Sequence, residues 1–96
     1  MAPVRRLVLD VLKPHDPDVR EFTQRVTGTD TVEAVSTSLI ELDQEVQNVE
    51  ITIEGEALKY GAIETTIETL GGSIHSVDNV ACGTHVPSEE PRQRRR

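Results

Sequence analysis

The stretch VQNVEITIEGEALKYGAIETTIETLGGSIHSVDNVAC, residues 46–82, decides the fold. Val49, Ile51 and Ile53 alternate with Glu50, Thr52 and Glu54, the period-two pattern of a strand with one buried face. Gly55 ends that run. Tyr60, Ile63, Ile67 and Leu70 recur at helical spacing and predict a helix over Lys59–Leu70 with a buried stripe. Gly71-Gly72 supplies its C-cap, since glycine takes a positive φ without steric penalty. Ser73 to Cys82 then returns to strand chemistry.

The first half repeats this order. Strand-like Val4–Leu12 carries Leu7, Leu9 and Val11 on one face, with Val4, Arg6, Val8, Asp10 and Leu12 on the other. Lys13-Pro14-His15-Asp16-Pro17 ends it, with Asp16 as N-cap and Pro17 at the first helical position. Val19, Phe22 and Val26 mark a helix over Asp18–Thr27, which Gly28 closes. Val32–Leu42 is the next strand, and Asp43-Gln44-Glu45 the turn that follows. The order βαββαβ predicts an α+β, ferredoxin-like sandwich. Its antiparallel sheet has order 4-1-3-2 with both helices on one face. One domain over residues 1–86 and a flexible basic tail over 87–96 complete the division.

The uncovered sheet face is expected to carry Val4, Val8, Leu12, Ile40 and Leu42, with Val77 and Ala81 if His75 points the same way. Such a patch predicts a homo-oligomer built through the open face or its edges. The alternative is a bulge in the second strand that returns Leu42 to the core.

Among 96 residues, 17 are Asp or Glu and 10 are Lys or Arg, for a net charge of −7. Four of those basic residues, Arg92, Arg94, Arg95 and Arg96, lie in the last five positions. Residues 1–91 thus hold six basic and 17 acidic side chains. Lysine occurs only at Lys13 and Lys59. This acidic, lysine-poor surface fits a halophilic source. It also argues against nucleic acid or anionic lipid as partners, except through the arginine tail. Cys82 is alone, so no intramolecular disulfide forms and a cytoplasmic location is expected. No apolar run has the length of a signal peptide core or a membrane span.

No catalytic constellation stands out. There is no Ser/His/Asp grouping and no glycine-rich phosphate loop, and no Arg, Lys or helix N-terminus stands near Cys82 to activate it. The reading is therefore of a non-enzyme. Its candidate ligand-binding residues gather on one rim of the sandwich: His15, Asp16, Asp43 and His75. Each also has an ordinary reading, as a loop, turn or strand residue. Asp10 is odder, being a carboxylate in a central strand. Across the sheet Glu50 or Thr52 could stand close to it, and Asp10 facing Glu50 would make a site for calcium or magnesium or a proton-sharing pair. A salt bridge from Asp10 to Arg6 or Lys13 is the structural alternative. A small-molecule ligand, a divalent cation and a protein docked through the arginine tail are thus the partners weighed.

Leu7-Val-Leu-Asp-Val-Leu-Lys-Pro-His15 and Gly71-Gly-Ser-Ile-His-Ser-Val-Asp78, with Val49–Gly55 between them, resemble the archaeal domain-of-unknown-function family 211. The resemblance covers residues 4–86 and leaves the tail outside. It implies a short archaeal ferredoxin-like protein, oligomeric and without assigned activity. The acidic body and arginine tail look like a haloarchaeal variant. The resemblance implies no catalytic residue.

Overall fold

The computed structural model describes residues 2–85. The elements run β1 (Val4–Pro14), α1 (Val19–Thr27), β2 (Ala34–Leu42), β3 (Val46–Glu54), α2 (Tyr60–Thr69) and β4 (Ser73–Cys82). The four strands form one sheet in the order β2-β3-β1-β4, with every neighbouring pair antiparallel. Read from the other edge this is 4-1-3-2, the ferredoxin-like arrangement expected. The tail lies outside the described residues.

Period-two alternation explains the core directly. Leu7, Leu9 and Val11 of β1 stand opposite Ile53, Ile51 and Val49 of β3, and all six are buried. Phe22 and Val26 from α1, with Ile63, Ile67 and Leu70 from α2, close over them. Tyr60, expected in the stripe of α2, is 38% exposed. It begins the helix, and Leu58 from the preceding turn is buried in the core instead.

The helix ends follow local chemistry. Asp18, not Asp16, caps α1: its backbone is extended and its carboxylate accepts the Glu21 amide at 2.8 Å. Asp16-Pro17 is a cis peptide within the preceding loop. At the end of α2, the Gly71 amide donates to Glu68 O and the Gly72 amide to Ile67 O, at 3.0 and 2.9 Å. Gly71 sits at φ +89°, which completes a Schellman cap.

The sheet departs from strict alternation at four register shifts, three between β1 and β4 (Arg5, Asp78 and His75 extra) and one between β2 and β3. In β1, Val4 stands opposite Cys82 and Arg6 opposite Ala81, so Arg5 is extra and Val4 turns to pack against the core. In β2, Leu39 pairs with Val49 and Glu41 with Asn48, leaving Ile40 extra. Leu42 then falls opposite Gln47 on the helix side, yet at 63% exposure it does not enter the core. In β4, Val77 stands opposite Leu9, on the helix side as well. Val8 and Ala81 are both buried. The apolar open-face patch expected from sequence is therefore largely dispersed. Of its members Ile40 and Leu42 on β2 and Val77 on β4 are exposed, and Leu39 and Val80, which were not expected in the patch, are exposed on the same two edge strands.

Candidate functional site

A shallow cavity of about 250 Å³ opens on the uncovered sheet face. Its floor is apolar, from Leu12 and Val46, and its polar groups are Asp10, Asn48, Glu41, Asp43 and His75. All four strands contribute. Register explains the convergence, because residues directly opposite in an antiparallel pair share a face. Leu12 faces Asn48, Asn48 faces Glu41, and Asp10 faces Glu50 on one side and Ser76 on the other.

Two of the bulges aim the outer residues. Strict alternation from Leu39 would set Ile40 opposite Asn48; the extra residue sets Glu41 there instead. In β4, Ile74 pairs with Val11 and Ser76 with Asp10, so His75 is the extra residue beside Asp10. One bulge thus exchanges an apolar side chain for a carboxylate, and the other brings an imidazole to the cavity.

Asp10 is partnered by neither Arg6 nor Lys13. Its Oδ1 accepts a hydrogen bond from Asn48 Nδ2, which also lies 3.4 Å from Val11 O. Arg6 forms an ion pair with Glu54 at 3.9 Å. Lys13 points to the other side of the sheet and is 0% exposed. Its ammonium donates to Pro14 O and Gln47 Oε1, both at 2.7 Å, and lies 5.7 Å from the centre of the Phe22 ring. Burial lowers its pKa from 10.5, while Asp18 and Asp16 act in the opposite direction. A sequence reading has no signal for this, since lysine at a strand end is ordinarily solvated.

The rim residues separate. Asp43 and His75 line the cavity, and His15 stands at its edge with Nε2 2.9 Å from Asp43 O. Asp16 is exposed in the β1–α1 loop and does not line it. Asn48, Glu41, Leu12 and Val46 are cavity residues that the sequence reading did not single out as ligands. Asp10 and Glu50 do face each other in register. Among the described residues no group of three or more His, Cys, Asp or Glu side chains is placed to hold a metal ion. Cys82 is an exposed free thiol. No helix among the described residues is long and apolar enough to cross a membrane.

Comparison with known proteins agrees with the family resemblance. The chain is 40% identical over 89 residues to an uncharacterized protein of Methanocaldococcus jannaschii, across 93% of this chain and 92% of that relative. The family model for DUF211, described as an uncharacterized ArCR family, matches residues 5–96. That span takes in the arginine tail, which the sequence resemblance had left out. With the relative aligned along nearly its whole length and the model matched from β1 onward, this chain belongs to the DUF211 family.

Proposed function

We propose that this chain is a non-catalytic, cytoplasmic, homo-oligomeric binding domain whose small ligand sits in the open-face cavity. The observation that carries this reading is the convergence of Asp10, Asn48, Asp43 and His75 from separate strands and the β2–β3 turn over an apolar floor. Few polar groups set around a small apolar surface are what a ligand site needs for orientation and affinity. The oligomer is supported by the apolar residues on both edge strands, Leu39, Ile40 and Leu42 on one and Val77 and Val80 on the other. His75 and Asp43 are the contact residues of this proposal, with His15 holding the β2–β3 turn through Asp43 O.

A second reading is a divalent-cation site at Asp10 and Glu50, favoured by their direct opposition in register. Calcium takes about six to eight oxygen ligands, so two carboxylates and Asn48 would leave most of the shell to water.

Thermal unfolding at fixed molar salt tests both. The panel holds small amines, amino acids, and calcium, magnesium, manganese and zinc, each against chelator. A ligand at ~100 times its Kd adds roughly 2.7 kcal/mol, or a Tm rise of about 10–20 °C in a domain this size. The ligand reading expects that rise to vanish in Asp43→Ala/His75→Ala. The cation reading expects it to vanish in Asp10→Asn/Glu50→Gln. A rise that survives both double variants places binding elsewhere and sinks both readings.

A further inference from the structure

The open sheet face is acidic as well as uncovered. Asp10, Glu41, Glu50 and Glu54 stand on it by register, and Asp43 lines its cavity. The basic side chains near it are already engaged. Arg6 pairs with Glu54. Arg5 donates to the carbonyls of Gly55, Gly83 and Thr84 at 3.2, 3.3 and 2.5 Å. A second copy stacking the same face on this one would set like charges together, which disfavours a face-to-face dimer. The face calls for a cationic occupant.

The chain itself supplies one. Residues 86–96, which lie outside the described residues, carry Arg92, Arg94, Arg95 and Arg96. The preceding residues are fastened beside the start of β1: the Gly83 amide donates to Pro3 O at 3.0 Å, and Arg5 holds the carbonyls of Gly83 and Thr84. The cavity lies at the other end of β1, since the six strand steps from Arg6 to Leu12 cover ~20 Å. Arg92 lies seven positions beyond His85 and Arg96 eleven. Extended chain spans at most ~3.3–3.6 Å per residue, so Arg92 reaches ~23–25 Å and Arg96 ~36–40 Å. The arginines can therefore lie over the far, acidic half of the face without full extension.

We propose that Arg92–Arg96 dock intramolecularly on the open sheet face, with their guanidinium groups against the carboxylates of Asp10, Glu50, Glu41 and Asp43. Guanidinium is the cation best matched to carboxylate, through paired N–H donors. Tethering raises the effective concentration to the millimolar range, so individually weak pairs suffice. The docking weakens with salt. Docking does not require the cavity to hold a ligand, so it stands or falls apart from the function proposed above.

Amide NMR spectra of the full chain test this at ~0.1 M salt, where the Debye length is ~10 Å. The comparison is with a chain carrying Arg92→Ser, Arg94→Ser, Arg95→Ser and Arg96→Ser. Docking expects shifts concentrated at Asp10, Glu41, Asn48, Glu50 and His75, with Phe22, Ile51 and Ile63 unmoved. It expects the differences to shrink toward 1 M salt, where the Debye length is ~3 Å. Conversely, Asp10→Asn/Glu50→Gln should shift the amides of Arg94–Arg96. Unlabelled wild-type chain added to the labelled arginine variant must leave the variant's spectrum unchanged. Restoration of the wild-type shifts would mean a neighbouring copy supplies the tail and would overturn the intramolecular reading. Shifts absent from the open face, or confined to the helices, would overturn it as well and leave the arginines to an outside polyanion.

Discussion

Lys13 carries its ammonium into the sandwich from the end of β1, where the Phe22 ring, Pro14 O and Gln47 Oε1 replace water. Burial lowers its pKa below 10.5, against the raising influence of Asp18 and Asp16. Below the lowered value both states hold the proton, and folding carries the full cost of the buried charge. Between that value and 10.5 the unfolded chain binds more protons, so this contribution makes stability rise with pH. Lys13→Met keeps the length and removes the titration; urea unfolding from neutral pH to 10.5 should give a flatter profile than wild type. Equal slopes in the two proteins would refute the assignment. Phe22 is the other decisive side chain, being the one aromatic ring in the core. Phe22→Ala should cost about 3–5 kcal/mol in equilibrium unfolding, and a loss under 1 kcal/mol would mean the core refills around it. The size and apolarity of Phe22 were legible from its spacing with Val19 and Val26. The burial of Lys13 was not, because it depends on Gln47, 34 positions away in sequence.

At the scale of elements, the C-cap of α2 was readable, while the N-cap of α1 was read two residues early and most of the bulges were not read. Gly71-Gly72 after an apolar stripe is a local signal that ends α2 where expected, whereas α1 is capped by Asp18, with Glu21 three residues on, rather than by Asp16. Gly71→Ala forces a side chain into φ +89° and brings a Cβ to 3.0 Å from Pro14 Cγ. The expected destabilisation is about 1–2 kcal/mol, read from the urea midpoint, and an unchanged midpoint would show the cap to be dispensable. Of the bulges, the one in β2 was weighed from sequence, as the alternative that would return Leu42 to the core; those at Arg5, His75 and Asp78 have no local signature. Each shifts the register by one residue, and a one-residue shift moves every later side chain to the other face. Glu41 therefore joined the open face, while Val4, Leu42 and Val77 left it.

For the whole molecule, apolar residues were expected to gather on the open face, but the exposed ones lie along the two edges. Edge-to-edge assembly predicts that Ile40→Lys on β2 or Val80→Lys on β4 each yields a monomer by sedimentation at constant salt, with the fold retained by circular dichroism. A wild-type chain that already sediments as a monomer would remove the oligomer from the proposal. The sequence by itself determined the element order, the core of Leu9, Val11, Phe22, Ile51 and Ile63, and the 4-1-3-2 sheet. Those follow from periodicities of 2.0 and 3.6 residues that neighbours along the chain already display. It also set Asp10 near Glu50 or Thr52, between which the register chose Glu50, and brought His15, Asp43 and His75 to one end. Only the tertiary structure decided that Asp43 and His75 share a cavity with Asp10, Asn48 and Glu41, that Asp16 stays outside it, and that Lys13 is buried. Those outcomes depend on how four strands align laterally, and lateral alignment is set by contacts between distant residues rather than by any pattern along one strand.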